Sequence, residues 1–435
     1  MELSRFGTIF ILRVGRSKTE LLGGGVMRPL INYSCVYGAI RTPIGRFHGS
    51  LSSLPAPDLA SFAIGEALRR SGVPKEKISD VIMGNVLPAG IGQAPARQAM
   101  LKAGLPDSVH AMGVSKVCGS GLTAVILADD LVRLHESGFI VAGGMESMSR
   151  APCMCGPDCE QNSLYEQDSR KECCMEHMVH DGLWDSFNDM HMGEIAELLA
   201  RKEGYSREVQ DEFAMQSFTR ARNAQERCRF SAEIVPVEVV MNDEIKIVDK
   251  DESPFANDLS RLNQLRPVFD KENGTVTAGN ASSISDGAAA LVLGEFDENL
   301  NPMARIAAKA SVSRPPDQFP LAPADCIVSL LDHWGMQKND IDLFEINEAF
   351  SVTTLAVCDK LGLDNSRVNV SGGAVALGHP IGASGARILV TLLHDLIERD
   401  LKRGVAVICI GGGEAVAVGI ERDVSWSDAF GLWAF

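Results

Sequence analysis

The chain has 435 residues, 41 of them basic and 57 acidic, for a formal net charge of −16, with 45% hydrophobic and 23% charged residues. That composition belongs to a folded globular protein of two or three domains, and the acidic balance argues against generic nucleic-acid or anionic-membrane binding. No run of about 18 apolar residues is present to cross a bilayer, and 11 scattered cysteines fit a reducing compartment better than a disulfide framework.

Residues 1–26 form a mildly basic extension, with Arg5, Arg13, Arg16 and Lys18 against Glu2 and Glu20. Its apolar run, 9–12, is too short for a secretory signal. Met27 follows Gly23-Gly-Gly25, residues that a read-through ribosome-binding sequence would encode, and is the expected true start. Further on, Ser120-Gly121 opens an apolar helical run to about His135, followed by a strand-like 139–142 and Gly143-Gly144. The pattern recurs near the other end: Ser384-Gly385 opens a helical run to about Leu401, then a strand-like 405–409 and Gly411-Gly412-Gly413. Two such units predict duplicated α/β halves packed face to face, with buried helices between sheets. Between them, residues 148–284 break into loops and short helices such as that from Ser206 to Ala224, and 285–294 returns to a strand-like pattern. The expected division is therefore an extension 1–26, a first half of 27–147 plus 285–299, a loop domain 148–284, a second half 300–422 and an extension 423–435. Trp426, Phe430, Trp433 and Phe435 in the last are expected to dock on the protein's own surface.

Two cysteines beside glycines stand out, Cys118 in Lys116-Val-Cys118-Gly-Ser-Gly121 and Cys409 in Cys409-Ile-Gly-Gly-Gly413, with Gly378-His379-Pro380 between them. A thiolate attacks an acyl thioester to give another thioester of similar energy, so the acyl group stays activated. Cys118, just before a helix, is expected to have its thiol pKa lowered by the helix N-terminus. His379 titrates near neutrality when unperturbed and suits proton transfer. Asn347 follows a strand-like 341–346 and precedes a helix, where it reads either as a site residue or as a helix cap. Cys153, Cys155, Cys159, Cys173 and Cys174, with His177 and His180, lack paired Cys-x-x-Cys knuckles, so free thiols and no metal are expected. No Gly-x-Gly-x-x-Gly joins an early strand to a helix, which weakens a dinucleotide-binding reading.

These residues sit in segments that resemble the thiolase family: Arg41-Thr-Pro-Ile-Gly-Arg-Phe47, Val117-Cys-Gly-Ser-Gly-Leu122, Gly143-Gly-Met-Glu-Ser-Met148, His180-Asp-Gly-Leu183 with His191-Met-Gly193, Thr277-Ala-Gly-Asn-Ala-Ser282, Asn347-Glu-Ala-Phe350, Gly372 to Gly385, and Cys409-Ile-Gly-Gly-Gly413. They occur in family order over about residues 33–422. The resemblance implies an α/β thiolase fold, a five-layer α/β/α/β/α sandwich with an inserted loop domain. It implies Cys118 as acyl-carrying nucleophile, Cys409 as base and proton donor, and His379 as proton carrier and donor to the thioester carbonyl. It further implies Asn347 holding a water beside His379, and the N–H groups of Cys118 and Gly411 as an oxyanion site. Leu183, His191, Met192, Phe269, Ala278, Ser282, Ala349 and Phe350 are the implied coenzyme A contacts, and His191-Met192-Gly193 points to the short-chain branch. The implied reaction is that of an acetyl-CoA C-acetyltransferase: ping-pong condensation of two acetyl-CoA to acetoacetyl-CoA and coenzyme A, or thiolysis in reverse. No separate cofactor, nucleic acid or membrane is implied, and the family points to a cytoplasmic homotetramer built as a dimer of dimers. Ser115 and Ser371 depart from the usual Asn, Phe255 from an expected arginine, and Gln318-Phe-Pro-Leu-Ala-Pro323 from a Met-Gly stretch. The alternatives are a 3-ketoacyl-CoA thiolase of broader chain length in fatty-acid β-oxidation, and a decarboxylating condensing enzyme, which is expected to use two histidines and to lack Cys409.

Overall fold

The computed structural model of the chain describes residues 33–134, 138–155, 174–241 and 243–422. The expectations placed on residues 1–26, Met27, residues 423–435, Cys159 and Cys173 lie outside these. The first half supplies strands β1 (Cys35–Arg41), β2 (Ile78–Gly84), β3 (His110–Val114) and β4 (Phe139–Ser147), and helices α1 (Ala56–Ser71), α2 (Pro95–Lys102) and α3 (Ser120–Arg133). The segment that follows contributes the short strands β5 (Cys153–Cys155) and β6 (Cys174–Glu176) and helices α4 (Met192–Glu203) and α5 (Arg207–Glu226). Strand β7 (Ser285–Gly294) then rejoins the first half, between β1 and β4. The second half comprises β8 (Ala304–Ser313), α6 (Ala322–Trp334), β9 (Leu343–Ile346), α7 (Ser351–Leu361), α8 (Ile381–Glu398), β10 (Arg403–Ile410) and β11 (Glu414–Glu421).

The strand order β9-β10-β11-β8-β1-β7-β4-β2-β3 contains the duplication. In each half a parallel pair, β2∥β4 or β9∥β10, is followed by two antiparallel strands, β7 and β1 or β11 and β8. The counterpart of β3 in the second half is reduced to a single parallel bridge, Phe344 to Val368. The two halves also meet edge to edge, through Cys35 opposite Arg305 and Val36 opposite Ala304.

Apolar burial produces the layers. One cluster packs α1 and α2 against one sheet face, a second surrounds α3 and α8 between the two halves of the sheet, and a third packs α6 and α7 on the far side. Helix α8 is buried without interruption from Ile381 to Leu396, about 24 Å of helix at 1.5 Å per residue. It lies against α3 backbone to backbone: a Cβ on Gly385 would stand 2.5 Å from the Leu122 nitrogen, and one on Gly121 would stand 2.9 Å from the Ala386 nitrogen. The Ser-Gly pairs are therefore the close-approach points of two central helices. Only the first opens its helix. The second lies a turn inside α8, because Pro380 already occupies the cap position. Strand β4 likewise runs through Gly143-Gly144 instead of stopping at Ala142, since a Cβ there would be 2.0 Å from the carbonyl oxygens of Ala289 and Gly382.

Arg41 ties β1 to the inserted segment. Fully buried, it donates from Nε to Glu233 at 2.6 Å and from both terminal nitrogens to Asp251 at 2.7 and 2.9 Å. Burial pulls the Glu233 carboxyl up, but Arg41 and Arg229 more than offset this and hold it down at about 2. Its contribution is therefore present above the ordinary carboxylate pKa and lost as pH falls from there toward 2. Removing Arg41 strands buried Asp251 and leaves Glu233 with Arg229 as its remaining cation, so Arg41→Met should cost about 3–5 kcal/mol, read as a lower denaturant midpoint at neutral pH. A midpoint within error of the wild type would contradict this account.

Candidate active site

Cys118 lies in the turn between β3 and α3, two residues before the first helical residue. Val117 there has φ of +45°, the left-handed region that a β-branched residue enters only under strain. The Ser120 hydroxyl secures the turn from inside, accepting from the Lys116 N–H at 2.8 Å and donating to the Val117 carbonyl at 2.6 Å. The backbone N–H groups of Gly411 and of Cys118 itself act on the Cys118 sulfur in the direction that lowers its pKa. Gly411 follows β10, in the turn to β11, where Gly412 and Gly413 take φ of +90° and +92°. Cys409, one residue from the end of β10, is buried opposite Ala415.

His379 enters through Gly378, whose φ is +110° and whose Cβ would collide with the Ser285 hydroxyl. Its backbone N–H donates to the Ser283 carbonyl. The ring Nδ1 stands 2.5 Å from the Ser384 hydroxyl, which is also 2.9 Å from the Pro380 carbonyl. With the single hydroxyl hydrogen on Pro380, Nδ1 carries the imidazole proton and Nε2 keeps its lone pair. Nε2 is buried and has no protein partner.

Cys118, His379, Cys409 and Gly411 line one cavity of about 380 Å³, a volume in the range of small-molecule sites. Leu183, His191, Met192, Phe269, Ala278, Ser282, Ala349 and Phe350 share its wall. Asn347 does not: it is buried just before Ala349, and neither atom of its side-chain amide has a protein partner. It is no helix cap either, since α7 begins at Ser351 with Phe350 in the cap position. Glu348 is structural, accepting from Asn369, Ser217 and the Val375 N–H. His191 caps α4: its Nδ1 accepts from the Gly193 N–H, its own N–H donates to Glu194, and its ring stacks on Phe269 at 4.7 Å. Gly193 permits that stack, because a Cβ would sit 2.0 Å from the Phe269 ring.

A model of the thiolase N-terminal domain matches residues 34–297, and one of the thiolase C-terminal domain matches residues 300–422. The chain belongs to the thiolase family. Acetyl-CoA acetyltransferase 2 of Arabidopsis thaliana is 48% identical over 393 residues, covering 89% of this chain and 96% of that protein. The mitochondrial acetyl-CoA acetyltransferase of Bos taurus is 45% identical over 402 residues, covering 91% and 93%. Among solved structures, the Acat5 thiolase of Ascaris suum in complex with coenzyme A superposes with a TM-score of 0.82 at 39% identity, covering 90% of this chain and all of that one.

The electrostatics of this thiolase differ from what position before a helix predicts. Burial pushes the Cys118 thiol up to about 11, outweighing the two backbone donors, and the nearby Glu146 adds to the rise. Burial also drives His379 down to about 3, with Arg387 adding to the effect. The resting pair is therefore a thiol and a neutral imidazole, not a preformed ion pair, because desolvation disfavours both charged forms. The sequence marked Ser384, which orients His379, only as a helix start, and gave no site role to the wall residues Val268, Thr277, Phe319 and Ile381. Phe319 belongs to the segment 318–323, whose departure from the family pattern is expected close to the substrate. Among the described residues no three Cys, His, Asp or Glu side chains gather as a metal site.

Proposed function

We propose that this thiolase acts as an acetyl-CoA C-acetyltransferase, with the catalytic division of labour carried by two thiols and one imidazole in a shared cavity. The carrying observation is that Cys118, His379 and Cys409, distant in sequence, line the same apolar-walled space. Cys118 attacks the acetyl thioester as His379 Nε2 takes its proton in the same step, while Cys409 gives its own proton to the departing coenzyme A thiolate and is left as the base. The N–H groups of Cys118 and Gly411 receive the negative oxygen that develops. Cys409 then removes a proton from the methyl group of a second acetyl-CoA, while His379 and a water held by the otherwise unpartnered Asn347 amide stabilise the enolate. The proton that His379 Nε2 took from Cys118 is the one it donates in that second role. The enolate attacks acetyl-Cys118, acetoacetyl-CoA leaves, and the freed Cys118 sulfur takes its proton back from His379.

The crowding of Ile195, Phe319, Val352 and Phe350 with Cys409 in one apolar cluster supports a short acyl group. The same reading takes the eight wall residues named above as coenzyme A contacts, needs no separate cofactor, and divides the chain after residues 147, 284 and 299. It places the enzyme in fatty-acid metabolism as a cytoplasmic homotetramer. None of the helices described is long and apolar enough to cross a membrane. Thiolysis of 3-oxoacyl-CoA substrates, followed by loss of the 3-oxoacyl absorbance, tests the assignment. Acetoacetyl-CoA should exceed the six-carbon homologue in kcat/KM by at least about tenfold, as expected when added methylenes meet a filled pocket. Equal rates over longer chains would favour the broader 3-ketoacyl-CoA thiolase.

A further inference from the structure

We propose that Cys155 and Cys174 form a reversible thiol–disulfide modification site, chemically separate from the catalytic thiols. The two residues face each other directly in the antiparallel β5–β6 ribbon, and their sulfurs are 3.5 Å apart. Directly opposed residues in such a ladder have Cα atoms about 4.5–5.5 Å apart, within the span that a disulfide bridges without backbone movement. Register also selects the pair. Cys153 shares the same face but stands opposite Glu176, so its approach to Cys174 is diagonal and about 7–8 Å long.

Access reinforces the choice. Cys155 is exposed and Cys174 partly so, whereas Cys35, Cys326, Cys358 and Cys409 are buried. The co-reactant is a low-molecular-weight disulfide of the glutathione type. The Cys155 thiolate attacks one of its sulfurs and expels a glutathione thiolate; the Cys174 thiolate then attacks the Cys155 sulfur and expels the second. One protein disulfide forms, one glutathione disulfide is reduced, and the two protons of the protein thiols end on two glutathione thiols. In a reducing compartment the site stays open, and it closes as the glutathione pool is oxidised. β6 leads directly into residues 178–183, so the bridge would sit just ahead of Gly182 and Leu183 in the cavity wall.

The full chain should be equilibrated in buffers of increasing oxidised-to-reduced glutathione ratio, alkylated under denaturing conditions and digested without reduction. The expected product is a linked peptide pair joining Cys155 to Cys174, two hydrogens lighter than the dithiol and reopened by dithiothreitol, with Cys118 and Cys409 still alkylated. The Cys155→Ser variant should lose that link and leave Cys174 as a free thiol or a glutathione mixed disulfide. Full alkylation of both positions at every ratio would overturn the proposal, as would linkage of Cys155 to Cys153, Cys159 or Cys173, or a stable glutathione adduct without closure in the wild type.

Discussion

Cys118→Ala should abolish turnover in both directions, lowering kcat by roughly 10⁴–10⁶-fold, the scale seen when a covalent nucleophile is removed. The fold should persist, because the change deletes one sulfur from a cavity wall and leaves the Ser120 bonds that hold the turn in place. In the wild type, brief exposure to acetyl-CoA should add one acetyl group to the peptide containing Cys118. The reaction should show a burst of coenzyme A release, since acylation precedes the arrival of the second substrate. Acetylation found on a different cysteine, or substantial thiolysis by the Cys118→Ala variant, would remove Cys118 from the mechanism. Because burial holds this thiol near 11, its alkylation in the absence of substrate should also be slow at neutral pH compared with exposed Cys228.

Cys409→Ser should separate the second thiol's role from the first. Acetyl-Cys118 should still form in this variant, while condensation falls by about 10²–10⁴-fold or more, the contribution of a positioned acid–base group. Exchange of the acetyl-CoA methyl hydrogens with deuterated solvent should fall in parallel. Burial raises the Cys409 thiol well above its ordinary range, and negative charge on Cys118 raises it further. Acetylation keeps Cys118 uncharged, so no neighbouring thiolate opposes the ionised Cys409 while it acts as base. Near wild-type condensation and exchange by Cys409→Ser would defeat the two-thiol division and favour a single-cysteine condensing enzyme with another base.

Much of the site was legible because local chemistry dictates local residues. A thiol before a helix, glycines at left-handed or crowded positions and a histidine locked between Gly378 and Pro380 are each constrained by their immediate neighbours, and short motifs record those constraints. The duplication was legible for a similar reason: the Ser-Gly pairs of α3 and α8 mark a backbone contact that both halves need. Element boundaries were less so. Proline in the cap position moved the start of α8 ahead of Ser384, and pairing with β7 carried β4 through two glycines that by themselves suggest a turn.

The sequence by itself determined which residue types stand ready: two cysteines, one histidine, an amide and the glycines that admit a thioester. Only the tertiary structure decided their protonation and company. Pocket burial, which involves residues far apart in the chain, reverses the helix-terminus effect on Cys118 and keeps His379 neutral. Likewise, the contacts between Cys118 and Gly411 and between Arg41 and Glu233 exist only because segments distant in sequence are brought together by the fold. Desolvation and long-range pairing depend on what the folded chain places around a group, and no local window of residues contains that information.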